Sequence, residues 1–487
     1  MTTAPRVQPS QKGWAKAIAR IPSEFSRTPL SIISGQIPEG LRGTLYRNGP
    51  ARLERGGEPV GHWFDGDGAI LAVQFTDAGA SGVYRFVQTE GYIEESAAGR
   101  FLYANYGMKE PGPIWNYWMR VFGDRAAIKN SANTSVLTLP EKLLALWEGG
   151  WPHALDLDTL ETFGPDNLGA LQGKETYTAH PQRDPQTGEI FSFGVSMGAK
   201  PQLNLYKSDR TGKIWQKAAI ELDSVSVIHS FVLAGEYLIF FVPPLELNRL
   251  SMLLGLSSYS EALQWQPRRG TEIIVVDRET LQVISRNHTE PFFQWHFGNG
   301  CVAPDGTAIL DLVRFDDFAQ TNHYLREVAT GETHTPACGT LWKVRVEPQT
   351  ARIVEMEQAI ARPSEFPVVR PDRVGQSWRY TYLALYRREA DISRELLQQL
   401  ARYDYETNTL TEADLGENRY VSEPIYAADA IDPGLGWILS VVYDSDADRS
   451  EVWIYDSDRL DDEPVCRLEL PEVIPFSFHG TWRAAKR

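Results

Sequence analysis

The segment Thr271-Glu-Ile-Ile-Val-Val-Asp-Arg-Glu-Thr280 is the clearest copy of a pattern that recurs along the 487 residues of this chain. A run rich in β-branched residues ends at Asp277, and Thr280 follows three residues later. β-Branched side chains favour extended strands, and an aspartate that accepts hydrogen bonds from the backbone just after it favours a tight turn. The segment therefore predicts a strand that ends in a hairpin turn.

The same combination of strand and acidic turn residue recurs at seven places. The acidic positions are Asp77, Asp156, Asp209, Asp277, Glu347, Asp404 and Asp456. Successive positions differ by 52 to 79 in residue number, which suits one four-stranded propeller blade with its loops. We predict an all-β fold, a seven-bladed β-propeller with helical and loop insertions capping the top face. Acidic turns also occur in other all-β folds, so the number of blades is a weaker prediction than the propeller fold itself.

Other segments support the same fold class. Strands are predicted at Ala69–Phe75, Glu189–Phe193, Tyr380–Tyr386, Trp437–Tyr443 and Glu451–Tyr455, where β-branched and aromatic residues lie between turn residues. Helical periodicity is confined to Gln11–Ile21, Ile114–Phe122, Leu245–Leu254 and Ile392–Arg402. We interpret 1–487 as a single propeller domain, with an N-terminal extension at 1–30 containing a short helix and apolar insertions at 107–126 and 243–266.

Composition narrows the possible partners. The formal net charge is −16 and the pI is near 5.1, which argues against a broad phosphate-binding surface and hence against nucleic acid. Three scattered cysteines, Cys301, Cys338 and Cys466, are too few for a disulfide framework or a thiolate metal cluster and suit a reducing compartment. A metal would therefore need histidine or carboxylate ligands. We expect a monomer.

The chain shows no targeting or membrane-spanning signal. Residues 1–11 contain no apolar region typical of a secretory signal. The longest strongly apolar run, Tyr237–Val242, is followed by two prolines and is far shorter than the roughly 18 to 20 residues of a spanning helix. We expect a cytoplasmic protein.

Four of the nine histidines are surrounded by apolar and small residues. They are His180, His229, His296 and His479. Their separations of 49, 67 and 183 residues correspond to about one, one and three blades, so inner strands could bring all four to the propeller axis, where one ion would be chelated. A single histidine in such surroundings is more often a core residue bonded to a carbonyl, so the prediction rests on the joint pattern.

Three glutamates occupy similar apolar surroundings. Glu148, Glu365 and Glu423 would each carry a costly unpaired charge there. An imidazole that binds metal through one nitrogen offers its second N–H to an acceptor, which fixes its tautomer and orientation. The glutamates are therefore predicted to support the histidines.

Two other features are interpreted as structural. Phe64-Asp-Gly-Asp-Gly68 resembles a calcium loop but lacks the downstream glutamate, so it predicts a tight turn. Five histidines lie beside charged, glycine or turn residues and are interpreted as surface or loop residues. They are His62, His153, His288, His323 and His334.

Several motifs together identify the chain as similar to a known family. They are Gly43-Thr-Leu-Tyr-Arg-Asn-Gly-Pro50, Phe64-Asp-Gly-Asp-Gly68, Lys129-Asn-Ser-Ala-Asn-Thr134, Leu143-Leu-Ala-Leu-Trp-Glu-Gly-Gly150, Ala179-His-Pro181, Glu365-Phe-Pro-Val-Val369, Ser422-Glu-Pro424 and Phe478-His-Gly-Thr-Trp482. In this content and order the chain resembles the carotenoid cleavage oxygenases, most closely their apocarotenoid-cleaving members.

The resemblance implies a seven-bladed propeller with Fe(II) on its axis. The four histidines would bind the iron, and Glu148, Glu365 and Glu423 would orient His229, His296 and His479 in that order. In this family O2 adds across one C=C bond of a polyene and two carbonyl products form, so the protein supplies orientation and a dry tunnel. Phe64, Trp147 and Phe366 would line that tunnel.

Residue 147 distinguishes branches of the family. The related lignostilbene-cleaving enzymes carry a lysine just before the glutamate that matches Glu148, where it would engage a phenol oxygen. Trp147 has no ammonium group and suits a polyene lying flat in an apolar channel. The resemblance therefore favours an apocarotenoid or carotenoid substrate and cleavage at the central double bond, with retinal-like aldehydes as products; off-centre cleavage stays the alternative.

The two apolar insertions predict contact with a membrane surface. Their aromatic and leucine side chains suggest segments that dip into one leaflet, where a lipophilic substrate would be found, although core packing is an alternative. The residues predicted to face the membrane are Trp115, Trp118, Phe122, Leu250, Leu253 and Leu254.

Three functional classes remain open at this point. A non-haem iron dioxygenase fits all four histidines and all three glutamates. A propeller that carries an apolar polyene without cleaving it has no use for four metal ligands. A calcium-dependent hydrolase would want oxygen ligands instead.

Overall fold

Seven large antiparallel sheets form the body of the protein in a computed structural model that describes residues 12–121, 128–198 and 200–485. Each sheet is one blade, and one of its edge strands lies nearest the propeller axis. The predicted all-β, seven-bladed propeller is confirmed.

We number the blades in chain order and give the strands of each from the axis outward. Blade 1 contains His479–Ala484, Gly43–Arg52, Asp67–Thr76, Gly79–Phe86 and Phe25–Pro29; blade 2 contains Ser135–Thr138, Leu143–Leu146, His153–Leu155 and Thr162–Pro165; blade 3 contains Gln182–Arg183, Ile190–Ser196, Gln202–Ser208 and Ile214–Glu221; blade 4 contains Val232–Ala234, Tyr237–Val242, Thr271–Asp277 and Val283–Thr289. Blade 5 contains Phe293–Val302, Ala308–Phe315, Thr340–Glu347 and Arg352–Ile360; blade 6 contains Ser364–Val368, Tyr380–Leu385, Gln399–Asp404 and Thr409–Glu412; blade 7 contains Arg419–Val421 with Ile425–Ala428, then Gly436–Asp444, Arg449–Asp456, Cys466–Glu469 and Ser31–Gly35.

Blade 1 closes the ring because strands from both ends of the chain share one sheet. The strand His479–Ala484 pairs with Gly43–Arg52, and His479 lies opposite Asn48. Ser31–Gly35 likewise pairs with Cys466–Glu469 in blade 7. Shared sheets of this kind hold the last blade against the first, and the propeller leaves only a short edge strand on each blade.

Each of the seven acidic turn residues is the last residue of the third strand of its blade, counted from the axis, or directly follows that strand. Asp277 Oδ1 accepts hydrogen bonds from the backbone N–H groups of Glu279 and Thr280. Asp156 Oδ1 does the same for Asp158 and Thr159. The pattern in the sequence is therefore the repeated hairpin of each blade.

Large apolar side chains pack between neighbouring blades. Phe191 and Leu203 of blade 3, for example, share a buried cluster with Phe240 and Ile274 of blade 4. Such face-to-face packing buries both sides of the central strands and fixes each blade against the next.

Helices lie in the connections, mostly at the end of the propeller where the four histidines begin their strands, which we call the top face. The helices are α1 (Ala15–Ala19), α2 (Glu90–Ala98), α3 (Ile114–Val121), α4 (Arg249–Leu253), α5 (Tyr259–Ala262) and α6 (Phe318–Val328), with single 3₁₀ turns at Trp63–Asp65, Pro267–Arg269 and Pro371–Arg373. Two short hairpins, Glu54–Arg55 with Glu58–Pro59 and Leu245–Leu247 with Leu263–Trp265, lie in the same connections.

Two predicted helices differ from the structure. The helix predicted at Ile392–Arg402 is wrong: residues 392–398 form a turn followed by irregular chain, and Gln399–Asp404 pairs on both sides as the third strand of blade 6. The sheet satisfies the backbone groups on both edges, and this outweighs the local periodicity. The segment Leu245–Leu254 begins as a strand and becomes helical only at Arg249, after Asn248 accepts a hydrogen bond from the Ser251 N–H.

Candidate metal centre

Four histidines meet where the first strands of four blades begin. His180 and His229 lie just before the first strands of blades 3 and 4, His296 lies within that of blade 5, and His479 opens that of blade 1. The pairing of the blade 5 strand shifts between Gln294 and Phe297, on either side of His296. The structure thus brings together all four histidines that the sequence singled out.

Their ring nitrogens converge on one point. Nε2 of His229 lies 2.9 Å from Nε2 of His180 and 3.2 Å from that of His296, and Nε2 of His296 lies 3.1 Å from that of His479. All four ligand atoms lie within 4.8 Å of one another. Two imidazoles bound to one metal at about 2.1 Å and at right angles would place their nitrogens about 3.0 Å apart, so the spacing fits a metal ion.

Three carboxylates contact the opposite nitrogens of these rings. Nδ1 of His296 lies 2.6 Å from Oε2 of Glu365, and Nδ1 of His479 lies 2.9 Å from Oε1 of Glu423. Glu148 Oε1 contacts Nδ1 of His229. These glutamates come from blades 6, 7 and 2, so each of the seven blades contributes one residue to the centre.

The contacts determine which nitrogen carries the proton. A carboxylate only accepts hydrogen bonds, so the proton of each paired ring belongs on Nδ1 and its Nε2 presents a lone pair. Burial and the neighbouring imidazoles hold the pKa of His180 and of His479 well below the ordinary value, which keeps those rings neutral. Converging lone pairs repel one another unless a cation lies between them.

Glu423 is held more firmly than the other two glutamates. The buried Arg47 donates to Oε2 of Glu423 at 3.1 Å and to its backbone oxygen at 3.0 Å. Its other N–H groups donate to Ser477 Oγ and to the backbone oxygens of Ser477 and Phe478, just before His479. Burial raises the pKa of Glu423, and Arg47 opposes that rise. Arg47 thus joins the carboxylate to the strand that carries the histidine.

A cavity of about 280 Å³ opens beside the histidines. Its wall is mostly aromatic and aliphatic and includes the three residues predicted to line a tunnel, Phe64, Trp147 and Phe366. The Phe366 ring lies 5.5 Å from the His296 ring and 5.3 Å from the His479 ring. An apolar molecule in this cavity would lie directly against the centre.

Several cavity residues were not singled out in the sequence. Met197, Trp295, Tyr324 and Tyr386 all line the wall, but they lie in different blades and insertions. Nothing in their local sequence distinguishes them from ordinary core residues. Only the three-dimensional fold reveals them.

Two of the five remaining histidines are not surface residues. His62 is fully buried, and its ring packs against Phe64 and Tyr106 at 4.6 and 4.7 Å. Burial lowers the pKa of His62 to about 3 and that of His153, in the third strand of blade 2, to about 4. The charged, glycine and turn residues beside His62 and His153 in the sequence therefore did not indicate exposure of these two histidines. His288, His323 and His334 are exposed, as predicted.

The Phe64-Asp-Gly-Asp-Gly68 segment forms a turn, and its carboxylates have protein partners. Asp65 accepts a hydrogen bond from the Gly107 N–H, and Asp67 is paired with Arg55 and Lys129. Among the described residues, the only group with metal-ligand geometry is that of the four histidines.

Of the residues predicted to face a membrane, two lie in α3, two lie in α4, and Leu254 directly follows α4. Trp115, Trp118, Leu250, Leu253 and Leu254 are between 41% and 65% exposed, while Phe122 lies outside the described residues. Arg249, the first residue of α4, donates a hydrogen bond to the backbone oxygen of Gly198, next to Met197 in the cavity wall. None of the helices in the described part of the chain has the length and apolar character to span a bilayer.

Comparison with known proteins gives consistent matches along the chain. The family model described as retinal pigment epithelial membrane protein matches residues 18–484. Apocarotenoid-15,15'-oxygenase from Synechocystis is 31% identical over 99% of both chains. Isoeugenol monooxygenase from Pseudomonas putida is 27% identical, covering 93% of this chain and 94% of its own. The solved structure of cobalt-substituted Synechocystis apocarotenoid oxygenase superimposes with a TM-score of 0.87 at 30% identity, covering 97% of this chain and 98% of that one.

Proposed function

This chain belongs to the RPE65/carotenoid cleavage oxygenase family, whose members include apocarotenoid and carotenoid cleavage enzymes, and from that premise we propose that it uses Fe(II) and O2 to split the central C=C bond of an apocarotenoid. The products would be two aldehydes, one of them retinal-like. The single observation that carries this proposal is the convergence of four histidine Nε2 atoms beside an apolar cavity. The proposed ligands are His180, His229, His296 and His479, oriented by Glu148, Glu365 and Glu423.

The protein's own residues would position the metal ligands and the substrate and would exclude water from the cavity. Bound Fe(II) supplies the electrons that activate O2. The carboxylates hold the Nδ1 protons of their histidines and keep each Nε2 aimed at the centre. Phe64, Trp147 and Phe366 pack along the polyene and exclude water. Both oxygen atoms enter the two carbonyl groups without net proton transfer, so the reaction needs no acid–base pair.

A stilbene is a weaker candidate for the substrate. The relatives include resveratrol cleavage oxygenases and isoeugenol monooxygenases, whose substrates carry phenols. Trp147 offers no charge to a phenolate, and the ammonium of Lys129 is buried against Asp67 and Glu95. The sequence identity to the apocarotenoid-15,15'-oxygenase, 31%, is also higher than the identity to the isoeugenol enzyme or to the 9,10-cleaving carotenoid enzyme, 27% and 26%. This difference supports cleavage at the central bond over cleavage at an off-centre bond.

The direct test is product analysis. Protein loaded with Fe(II) is incubated under ¹⁸O₂ with apocarotenals of several lengths and with 4-hydroxystilbenes. We expect two aldehydes from an apocarotenal, each with one ¹⁸O atom, trapped at once as oximes or reduced before the label exchanges. Faster cleavage of a stilbene would overturn the substrate assignment, and binding without cleavage would support a polyene carrier instead.

We also propose that the protein is a monomer in the cell interior that attaches to a membrane through α3 and α4. Exposed leucines and tryptophans at this site are typical of helices that lie in the interface of a bilayer. The adjacent cavity residue Met197 is 47% exposed, so a lipophilic substrate could pass from the bilayer into the cavity.

Liposome sedimentation tests this attachment. The triple substitution of Leu250, Leu253 and Leu254 by Ser should release the protein from vesicles, while activity on detergent-dispersed substrate is retained. The control is Ile431→Ser, which removes an apolar side chain as exposed as that of Leu250 from a loop of blade 7. Unchanged vesicle binding by the triple variant would contradict the proposal.

A further inference from the structure

The two ends of the cavity differ in exposure and in chemistry. One end, at blade 3, includes Met197, which is about half exposed; we call it the open end. The other, at blade 6, is lined by the buried residues Tyr324, Tyr386, Leu396 and Phe476; we call it the closed end. Blades 3 and 6 lie on opposite sides of a seven-bladed ring. A long molecule in the cavity would therefore pass the histidines on the axis, with its two halves in different surroundings.

The closed end contains a pair of tyrosine hydroxyls. Tyr324, from α6, and Tyr386, which follows the second strand of blade 6, approach with their hydroxyl oxygens 2.9 Å apart. Both side chains are buried and both line the cavity. Nearby wall residues, Leu325, Ala337 and Leu396, are apolar. This pair is a polar point in an otherwise apolar end.

One hydroxyl of the tyrosine pair has a proton that the bond between the two hydroxyls does not use. Each phenol has one O–H to donate and can accept as well, so a bond between two hydroxyls uses only one of the two protons. In the described parts of the chain, each of these hydroxyls bonds to the other and has no further recorded partner. A buried donor without an acceptor costs free energy. Burial raises the pKa of both tyrosines, so both remain protonated donors at neutral pH.

We propose that Tyr324 and Tyr386 bind the oxygenated terminus, an aldehyde or alcohol, of a linear apocarotenoid that enters through the open end with this terminus first. The inference rests on the proposed cleavage and adds the direction in which the substrate lies. The ring-bearing half stays toward the open end. Cleavage places one oxygen atom on each carbon of the broken bond, so the fragment at the closed end carries its original oxygen group and a new aldehyde.

Matched substrates and matched variants test the pair. The substrates are an apocarotenal and a hydrocarbon of equal length in which a methyl group replaces the terminal aldehyde. The variants are Tyr324→Phe and Tyr386→Phe. The control is Tyr382→Phe, which removes a buried hydroxyl from the second strand of blade 6, where it bonds to the Ser457 backbone oxygen outside the cavity.

We expect the native enzyme to prefer the apocarotenal in kcat/KM, chiefly through KM. Each cavity variant should reduce this preference about 3- to 10-fold, the value of one hydrogen bond, and Tyr382→Phe should leave it unchanged. Quenching of tryptophan fluorescence in metal-free protein should show the same ratios in Kd.

The inference is overturned if the preference survives in both cavity variants, or if Tyr382→Phe reduces it equally. In either case, cleavage of both substrates by the native enzyme would leave the proposed function intact. If the native iron-loaded enzyme cleaves neither substrate, the proposed function fails and this inference fails with it.

Discussion

Two buried polar clusters of this protein differ in whether the chain itself balances their charges. The first, which we call the ionic cluster, consists of Arg55, Asp67, Glu95 and Lys129, each no more than 3% exposed. Arg55 lies 2.6 Å from Asp67, Lys129 lies 2.7 Å from Glu95 and also contacts Asp67, and Glu95 accepts a hydrogen bond from the Leu102 N–H at 2.9 Å. Two cations face two anions, so the charges of the cluster balance without a bound ion.

The metal centre has no such internal balance. It holds three carboxylates and one cation, Arg47, around four imidazoles whose nitrogens converge. With all three carboxylates ionised, two negative charges are left, and the two positive charges of a divalent metal ion would balance them. The difference supports the proposal that the four-histidine centre is built around a ligand from outside the chain, whereas the ionic cluster is balanced by its own residues.

Removing a proposed metal ligand should have the largest effect. Replacing His180, His229, His296 or His479 by Ala should abolish stoichiometric metal and reduce turnover by at least about 100-fold, because each supplies a direct bond. Elemental analysis and steady-state kinetics measure this, and circular dichroism should show a folded propeller. Retained metal and activity in one variant would remove that residue from the centre.

Breaking the ionic cluster should instead reduce stability without a specific effect on metal. Lys129→Met leaves two buried carboxylates, Asp67 and Glu95, with Arg55 as their one remaining cation, and should lower the free energy of unfolding by about 3–5 kcal/mol. The matched control is Lys142→Met, whose pair with Asp166 is partly exposed and should matter by less than about 1 kcal/mol. Denaturant titration of metal-free and metal-loaded protein compares them. An equal loss in both variants would show that burial does not strengthen this cluster.

Removing a supporting carboxylate should have an intermediate effect on the metal centre. Glu365→Gln and Glu423→Gln should weaken metal binding or activity by about 10- to 100-fold, because these groups orient ligands and do not bind the metal themselves. Competition with a chelator measures the affinity. Losses equal to those of the histidine variants would indicate direct ligation.

The sequence predicted those features that depend on short repeated segments. The spacing of the acidic turns predicted the seven blades, because each turn belongs to a local hairpin that repeats once in every blade. The separations of the histidines matched the same spacing. Features that depend on contacts between distant segments were not predicted from the sequence. The Ile392–Arg402 segment is a strand only from Gln399 onward, where its neighbours in the sheet pair with it, and the His62 ring is buried against Tyr106.

The pair of tyrosines shows the same limit. Tyr324 and Tyr386 belong to an insertion and to a different blade, and only folding brings their hydroxyls to 2.9 Å. Arg47 is similar, since its five N–H groups find partners near Glu423 and Ser477, far along the chain. No local pattern marks either feature.

The central claim, that four histidines hold one divalent metal ion, is tested most directly by metal content and X-ray absorption on protein loaded anaerobically with Fe(II). We predict one iron per chain, with a first shell of imidazole nitrogens at about 2.1 Å. The same measurement on the His296→Ala variant should show little or no iron. Iron absent from the native protein, or bound through a shell of oxygen atoms alone, would contradict the claim.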